Sequence, residues 1–186
     1  MNIKVIGAVG LNGSGKDTVL RLISDYLGCP LISIGDLVRD IAKKQKIQLT
    51  RENLNKISER YISAHGKEYF PRLVAAEIRK ISPKIACVTG IRTPHDVRVL
   101  REEFGHDFIL LSVETDQNTR LERLKIRAEA RDPHSFSDFL KQEKNEEKIF
   151  HVSTTMRLAN YVISNNGSLD ELRTNVRRFL EEARIE

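Results

Sequence analysis

The residues best suited to chemistry lie near the start of the chain, in the stretch Gly10-Leu-Asn-Gly-Ser-Gly-Lys-Asp-Thr18. Its glycines let the backbone curl until several N–H groups converge on one anion. A helix that begins directly after the loop adds unpaired N–H groups and the positive end of its dipole, and Lys16 supplies a mobile cation for outer phosphates. The spacing GxxxxGK between a strand and a helix therefore predicts a loop for the phosphates of ATP, made of Gly10, Asn12, Gly13, Ser14, Gly15, Lys16, Asp17 and Thr18.

The loop departs from the strict pattern at one position. That pattern has a serine or threonine directly after the lysine, where its hydroxyl binds Mg²⁺. Here Asp17 takes that position and Thr18 follows. A glycine-rich turn without a ligand is the plain alternative, which the position between a strand and a helix disfavours. We therefore expect Mg²⁺ with ATP at this loop, with Thr18 and Asp17 as candidate metal ligands.

A second basic group lies within residues 120–131, where five basic side chains accompany two acidic ones. Arg120, Arg123 and Arg127 fall on one face of a helix because they are spaced three and four residues apart. One interpretation is a solvated helix with ion pairs. The other is a lid whose arginines neutralise a transferring phosphoryl group and exclude water.

The elements that must position these loops alternate along the whole chain. Apolar and periodic runs predict five strands, at residues 3–9, 31–34, 85–88, 108–113 and 161–164, and helices at about 16–27, 36–46, 51–80, 116–130, 135–150 and from 168. The 51–80 region forms one or two helices, broken near Gly66 or Pro71, and Ser168 and Glu171 have the spacing of a capping box. Continuous apolar strands between helices predict an α/β fold with a parallel sheet covered on both faces. The loops at 10–16, 33–39, 89–96 and 114–120 should therefore share one edge.

Several segments resemble those of the nucleoside monophosphate kinase superfamily of P-loop proteins. Gly13-Ser-Gly-Lys-Asp-Thr18 is similar to its phosphate loop, and Ser33-Ile-Gly-Asp-Leu-Val-Arg39 and Thr89-Gly-Ile-Arg92 are similar to its acceptor segments. Residues 159–168 resemble the last strand and loop of dephospho-coenzyme A kinases. The resemblance covers nearly the whole chain, and it extends to adenylate-kinase-like and dephospho-coenzyme A kinase-like proteins of archaea and bacteria.

This resemblance implies a three-layer α/β/α P-loop fold in one kinase domain, residues 1–186, with a five-stranded parallel sheet. An acceptor-binding helical region would occupy about 36–80 and a lid about 120–150. The implied activity is ATP-dependent phosphoryl transfer to a small phosphorylated acceptor, a nucleoside or deoxynucleoside monophosphate. Dephospho-coenzyme A is an alternative acceptor. The alternative from a different functional class is a regulatory module that binds ATP without efficient transfer. It is considered because Thr89 stands where the family has an aspartate that helps to hold Mg²⁺. Asp36 and Asp96 are possible substitutes for that aspartate.

The resemblance also implies roles for single residues. The acceptor would be bound by Ser33, Gly35, Asp36, Arg39, Gly90 and Arg92. The two arginines would hold its phosphate, because a guanidinium fork matches a phosphate dianion. The catalytic residues would be Lys16, Arg92, Arg123, Arg127 and Arg131. Asn166 would border the donor adenine and so joins the ATP-binding residues.

The composition limits the remaining possibilities. A length of 186 residues is typical of one domain. The net charge of +5 is compatible with nucleic acid, but four tyrosines, seven phenylalanines and no tryptophan argue against a base-stacking surface. No apolar run reaches the roughly 18–20 residues of a membrane span, and two cysteines cannot form a disulfide framework. We expect a cytoplasmic protein whose partners are ATP and the acceptor, while the acceptor base and the oligomeric state are left open.

Overall fold

The computed structural model describes residues 3–129 and 132–186. Its central feature is a sheet of five parallel strands in the order β2-β3-β1-β4-β5. The strands are β1 (Lys4–Val9), β2 (Leu31–Ser33), β3 (Ile85–Thr89), β4 (Phe108–Glu114) and β5 (Tyr161–Ser164). In the middle of the sheet, Ile6 of β1 pairs with Cys87 of β3 on one side and with Ile109 of β4 on the other. The predicted parallel five-stranded sheet is confirmed.

Helices cover both faces of the sheet. They are α1 (Lys16–Leu27), α2 (Ile34–Lys44), α3 (Arg51–His65), α4 (Tyr69–Ile81), α5 (Pro94–Phe104), α6 (Gln117–Arg127), α7 (Phe136–Phe150), α8 (Val152–Met156) and α9 (Leu169–Glu182). Side chains of β1 alternate between two buried clusters: Ile6 packs with α1 and α9, while Val5 packs with α4 and α5. A strand buried on both faces is the mark of a three-layer α/β fold. None of the described helices is both long and apolar enough to cross a membrane.

The helix ends follow the local chemistry. The predicted break at Gly66 is confirmed, because α3 ends there and α4 begins at Tyr69, so Pro71 lies in the first turn of α4. The capping box of Ser168 and Glu171 is also confirmed at the start of α9. Helix α5 is not among the predicted helices, although its start carries a second capping box of Thr93 and Asp96 with Pro94 at the first helical position. The short helix α8 is also absent from the predicted helices.

Two smaller apolar clusters lie outside the two faces of the sheet. Val38, Ala42, Ile57 and Phe70 join α2, α3 and α4 into a helical unit. Leu121, Leu124 and Phe139 join α6 to α7. These clusters lie within the ranges 36–80 and 120–150, whose roles as acceptor region and lid remain predictions.

Candidate functional site

The phosphate loop connects β1 to α1 in the conformation that its glycines allow. Gly13 and Gly15 have φ angles of 81° and 84°, a region that residues with side chains rarely adopt. A Cβ atom on Gly13 would lie 2.8 Å from the carbonyl oxygen of Arg120. The curl is closed by the backbone N–H of Ser14, which donates to the carbonyl of Leu11 at 3.1 Å. Glycine is therefore required at these two positions for both backbone and space.

The ends of β4 and β5 brace this loop from behind. Asn165 Nδ2 donates to the carbonyl of Ser14 at 2.7 Å, and the Thr115 hydroxyl donates to the same carbonyl at 3.0 Å. Arg120 Nη1 donates to the carbonyl of Asn12 at 3.3 Å. The predicted ATP residue Asn166 accepts the backbone N–H of Asp116 at 2.7 Å. The predicted loops at 10–16 and 114–120 therefore meet at one edge of the sheet. The sequence did not predict that Thr115 and Asn165 hold the phosphate loop, because these contacts join distant parts of the chain.

A cavity of about 300 Å³ lies beside the phosphate loop. Its lining includes Leu11, Ser14, Thr115, Asp116, Met156 and Asn166. Ser14 Oγ is fully buried there and has no hydrogen-bond partner among the described residues. A volume at the lower end of the range for small-molecule sites is thus available next to the loop.

Several charges converge on Lys16, the first residue of α1. Burial is the main reason that the pKa of its amine lies below the ordinary value of 10.5. Asp17 and Glu146 oppose that shift, whereas Arg92 and Arg127 reinforce it. Lys16 belongs to the phosphate loop, while Arg92 follows β3 and Arg127 ends α6. The charges of two arginines from other segments of the chain therefore act on the lysine of the phosphate loop.

The residue after this lysine contacts the end of β3. The Thr89 hydroxyl donates a hydrogen bond to Asp17 Oδ1 across 72 positions of sequence. The side chain of Thr18 is exposed on α1. The two predicted substitutes for the missing aspartate are engaged elsewhere: Asp36 binds Arg39 at 2.7 Å, and Asp96 accepts the backbone N–H groups of Arg92 and Thr93 at 3.0 and 2.8 Å. Burial raises the pKa of Asp96, which serves the cap of α5.

The two predicted acceptor loops are in contact. A Cβ on Gly90 would lie 3.2 Å from Ile34 Cβ and 3.5 Å from the backbone nitrogen of Gly35. A Cβ on Gly35 would lie 3.1 Å from Arg39 Nη1, so this guanidinium folds back over the loop. The Ser33 hydroxyl caps α2 by accepting the backbone N–H of Asp36 at 3.2 Å. On the other loop, the guanidinium of Arg92 lies over the ring of Phe150, 5.1 Å from its centre.

The arginines of α6 have separate partners. Arg120 is buried and forms a close ion pair with Glu143 of α7. Arg123 Nη1 donates to the carbonyl of Asn165 at 2.9 Å, on the loop after β5. Arg127 binds Asp132 with two nitrogens, which raises the pKa of its guanidinium. The fourth predicted lid arginine, Arg131, lies outside the described residues.

Comparison with known proteins gives a consistent picture. The AAA domain family matches residues 9–140. A UPF0200 protein of Pyrococcus horikoshii is 32% identical over 181 residues, which are 96% of each chain. A UPF0200 protein of Thermococcus onnurineus is 30% identical over 96% of this chain and 97% of its own length. A UPF0200/UPF0201 protein of Archaeoglobus fulgidus is 29% identical, and this chain spans 56% of its length.

Solved structures share the fold at low sequence identity. Shikimate kinase from Acinetobacter baumannii has a TM-score of 0.60 at 17% identity, over 97% of this chain and 93% of its own. A gluconokinase from Sinorhizobium meliloti has a TM-score of 0.58 at 16% identity, over 98% and 97%. TT1252 from Thermus thermophilus reaches 0.64 at 18% identity, over 98% of both chains. The fold is that of P-loop kinases.

Proposed function

This chain belongs to the AAA domain family, and we propose that it transfers the γ-phosphoryl group of ATP to a small phosphorylated acceptor, a nucleoside or deoxynucleoside monophosphate. The observation that supports this best is the curled phosphate loop between β1 and α1, whose Lys16 also feels the charges of Arg92 and Arg127. Phosphoryl transfer needs little covalent help from the protein and depends on positioning and on neutralising charge. Three cations from three segments can neutralise the γ-phosphate of ATP and the phosphate of the acceptor at the same time.

ATP would be held through its phosphates by the loop from Gly10 to Thr18. The curled backbone and the start of α1 offer N–H groups to the phosphates, and the cavity bordered by Asn166 is the candidate location for the donor base. Arg123 keeps the segment around Asn165 in place beside it.

Mg²⁺ would accompany ATP at the loop, and the donor set fits it. The described residues contain no group of three or more histidine, cysteine, aspartate and glutamate side chains that could hold a metal by themselves. Mg²⁺ is usually bound by one or two carboxylates together with substrate phosphates. Oxygen atoms for the metal are available where the loop enters α1, from the side chains of Asp17, Thr89 and Thr18. The bound ion would neutralise charge on the outer phosphates.

The acceptor phosphate would bind Arg92 and Arg39. None of the described carboxylates forms an ion pair with the side chain of Arg92, which stacks on Phe150. Its guanidinium nitrogens are therefore open to a phosphate in two-point contact. Arg39 would exchange its bond to Asp36 for a bond to the same phosphate. Ser33, Gly35 and Gly90 line the contact between the two loops.

In the transfer, an oxygen of the acceptor phosphate attacks the γ-phosphorus and the bond to the β-phosphate oxygen breaks. The products are ADP and a nucleoside diphosphate. Lys16 and Arg92 stabilise the charge on the moving group. Arg127 joins them when it leaves Asp132, and Arg131 would act from the same lid.

The test is incubation with γ-labelled Mg-ATP and a panel of acceptors. The panel contains all ribo- and deoxynucleoside monophosphates and dephospho-coenzyme A, which the resemblance of residues 159–168 makes the second acceptor. We expect one labelled nucleoside diphosphate with the wild type and with Lys44→Ala, whose lost charge lies at the end of α2. Lys16→Ala should abolish it. ATP binding without any labelled acceptor would contradict transfer and favour the regulatory module.

A further inference from the structure

We propose that Asp17 and Thr89 form the metal-binding pair of this site, with their places in the chain exchanged relative to the phosphate-loop pattern. The inference rests on the proposed function, because the metal would bind together with nucleotide phosphates. In that pattern the residue after the lysine gives a hydroxyl and a strand end gives a carboxylate. Here the residue after the lysine is Asp17, and the residue that ends β3 is Thr89.

The contact between the two side chains carries the inference. The Thr89 hydroxyl donates to Asp17 Oδ1, so a hydroxyl and a carboxylate meet at the loop, each supplied by the segment that supplies the other in the pattern. Their meeting follows from the strand order, because β3 pairs with β1 and both strands end beside α1. Two separate departures from the pattern thus become one compensated change that preserves both groups and the local charge.

The exchange moves the carboxylate from the sheet to the helix that receives the phosphates. Asp17 lies in the first turn of α1, where the helix dipole favours a negative charge. Its side chain is exposed, and a carboxylate that accepts one hydrogen bond keeps further lone pairs for a metal. Thr89 fixes the orientation of the carboxylate through this hydrogen bond, and its hydroxyl oxygen keeps lone pairs for the same metal.

The other carboxylates near the loop are less suited to this role. Asp36 is bound to Arg39, and Asp96 is buried within the cap of α5. Glu146 interacts electrostatically with Lys16 but lies on α7, outside the phosphate loop and the strand ends. Asp17 is the carboxylate held at the loop by a hydroxyl of the sheet.

The experiment measures Mn²⁺ affinity of the protein–ADP complex by electron paramagnetic resonance, with Mn²⁺ as the probe. ADP affinity without metal is measured separately by fluorescence of a labelled ADP. Asp17→Asn should weaken Mn²⁺ binding by roughly 100-fold and Thr89→Val by about tenfold. Asp40→Asn, which removes the same charge from an exposed position of α2, should leave it unchanged.

The exchange itself is tested by reversing it. Asp17→Thr alone leaves this pair without a carboxylate, so that single variant should bind Mn²⁺ less well than the wild type. The double variant Asp17→Thr/Thr89→Asp restores one of each group and should bind Mn²⁺ at least tenfold more tightly than Asp17→Thr.

Two results would overturn the inference while leaving the proposed function intact. One is an Asp17→Asn protein that binds ADP and keeps wild-type Mn²⁺ affinity. The other is a folded double variant no better than Asp17→Thr. A wild type that does not bind ADP with or without Mn²⁺ would overturn the proposed function and this inference together. Thermal unfolding of every variant separates these outcomes from loss of the fold.

Discussion

The Arg120–Glu143 pair should be worth far more to the protein than an ordinary surface ion pair. Arg120 is 4% exposed and Glu143 retains 18% of its side-chain exposure. The guanidinium also donates to the carbonyls of Thr115 at 3.1 Å and Asn12 at 3.3 Å, and it lies over the ring of Phe139. One side chain therefore ties the phosphate loop and the end of β4 to α7.

We expect Arg120→Met to lower the free energy of unfolding by about 3 kcal/mol. Removing one partner of a buried ion pair costs about 3–5 kcal/mol, because the other charge is left without compensation. Glu143 keeps a bond from Gln117 and some contact with water, so the lower end of this range applies. For a chain of this size the melting temperature should fall by roughly 6–12 °C.

The assay is urea denaturation of a double-mutant cycle. Removing both charges in Arg120→Met/Glu143→Leu should recover at least about 1.5 kcal/mol relative to the sum of the single changes. Arg173→Met is the matched control, because Arg173 and Asp170 form an exposed pair that contributes at most about 0.5 kcal/mol. An Arg120→Met protein no less stable than Arg173→Met would refute the account of how α7 is held.

Three further changes test the site and its supports. Ligand-free Lys16→Met should be more stable than the wild type near neutral pH, because burial lowers the pKa of the lysine and so penalises its charged form. Between that lowered pKa and 10.5 the unfolded wild type binds more protons than the folded one, so the wild type gains stability as pH rises. Urea denaturation should therefore show the advantage of the variant shrinking through this pH window. Gly15→Ala places a Cβ at φ 84° and 2.3 Å from Asn165 Nδ2, so calorimetry should show a loss of about 1–3 kcal/mol and weakened ATP binding, whereas Gly28→Ala, with open space around it, should keep ATP binding. Ser168→Ala removes the capping box of α9, and thermal unfolding should show a loss of about 1 kcal/mol; an unchanged melting temperature would contradict its role there.

The fold could be predicted from local patterns because those patterns are strong here. Continuous apolar strands, the GxxxxGK spacing and the capping box at Ser168 each identify an element without reference to the rest of the chain. The start of α5 carried an equally local signal in Thr93, Pro94 and Asp96. The sequence alone leaves Asp96 open to two roles, helix cap and metal ligand, because a carboxylate suits both.

The contacts within the site depended on information that the sequence does not carry locally. The bond from Thr89 to Asp17 exists because β3 lies next to β1, and the strand order was not predicted. The three arginines of α6 share a periodicity, yet one pairs with α7, one binds the loop after β5 and one binds Asp132. Periodicity places them on a helix, but only the packing of the neighbours assigns their partners.

The central claim is that one site holds the phosphates of donor and acceptor together, between Lys16 and Arg92. Isothermal titration calorimetry with two adenosines joined by five phosphates tests it directly, alongside thymidine and guanosine counterparts on the acceptor side. We predict that one such compound binds roughly 100-fold more tightly than ADP, because its two ends bind as one molecule. Arg92→Ala should remove this gain while leaving ADP affinity unchanged. If every compound binds the wild type no more tightly than ADP, the two phosphate sites do not face each other and the account is wrong.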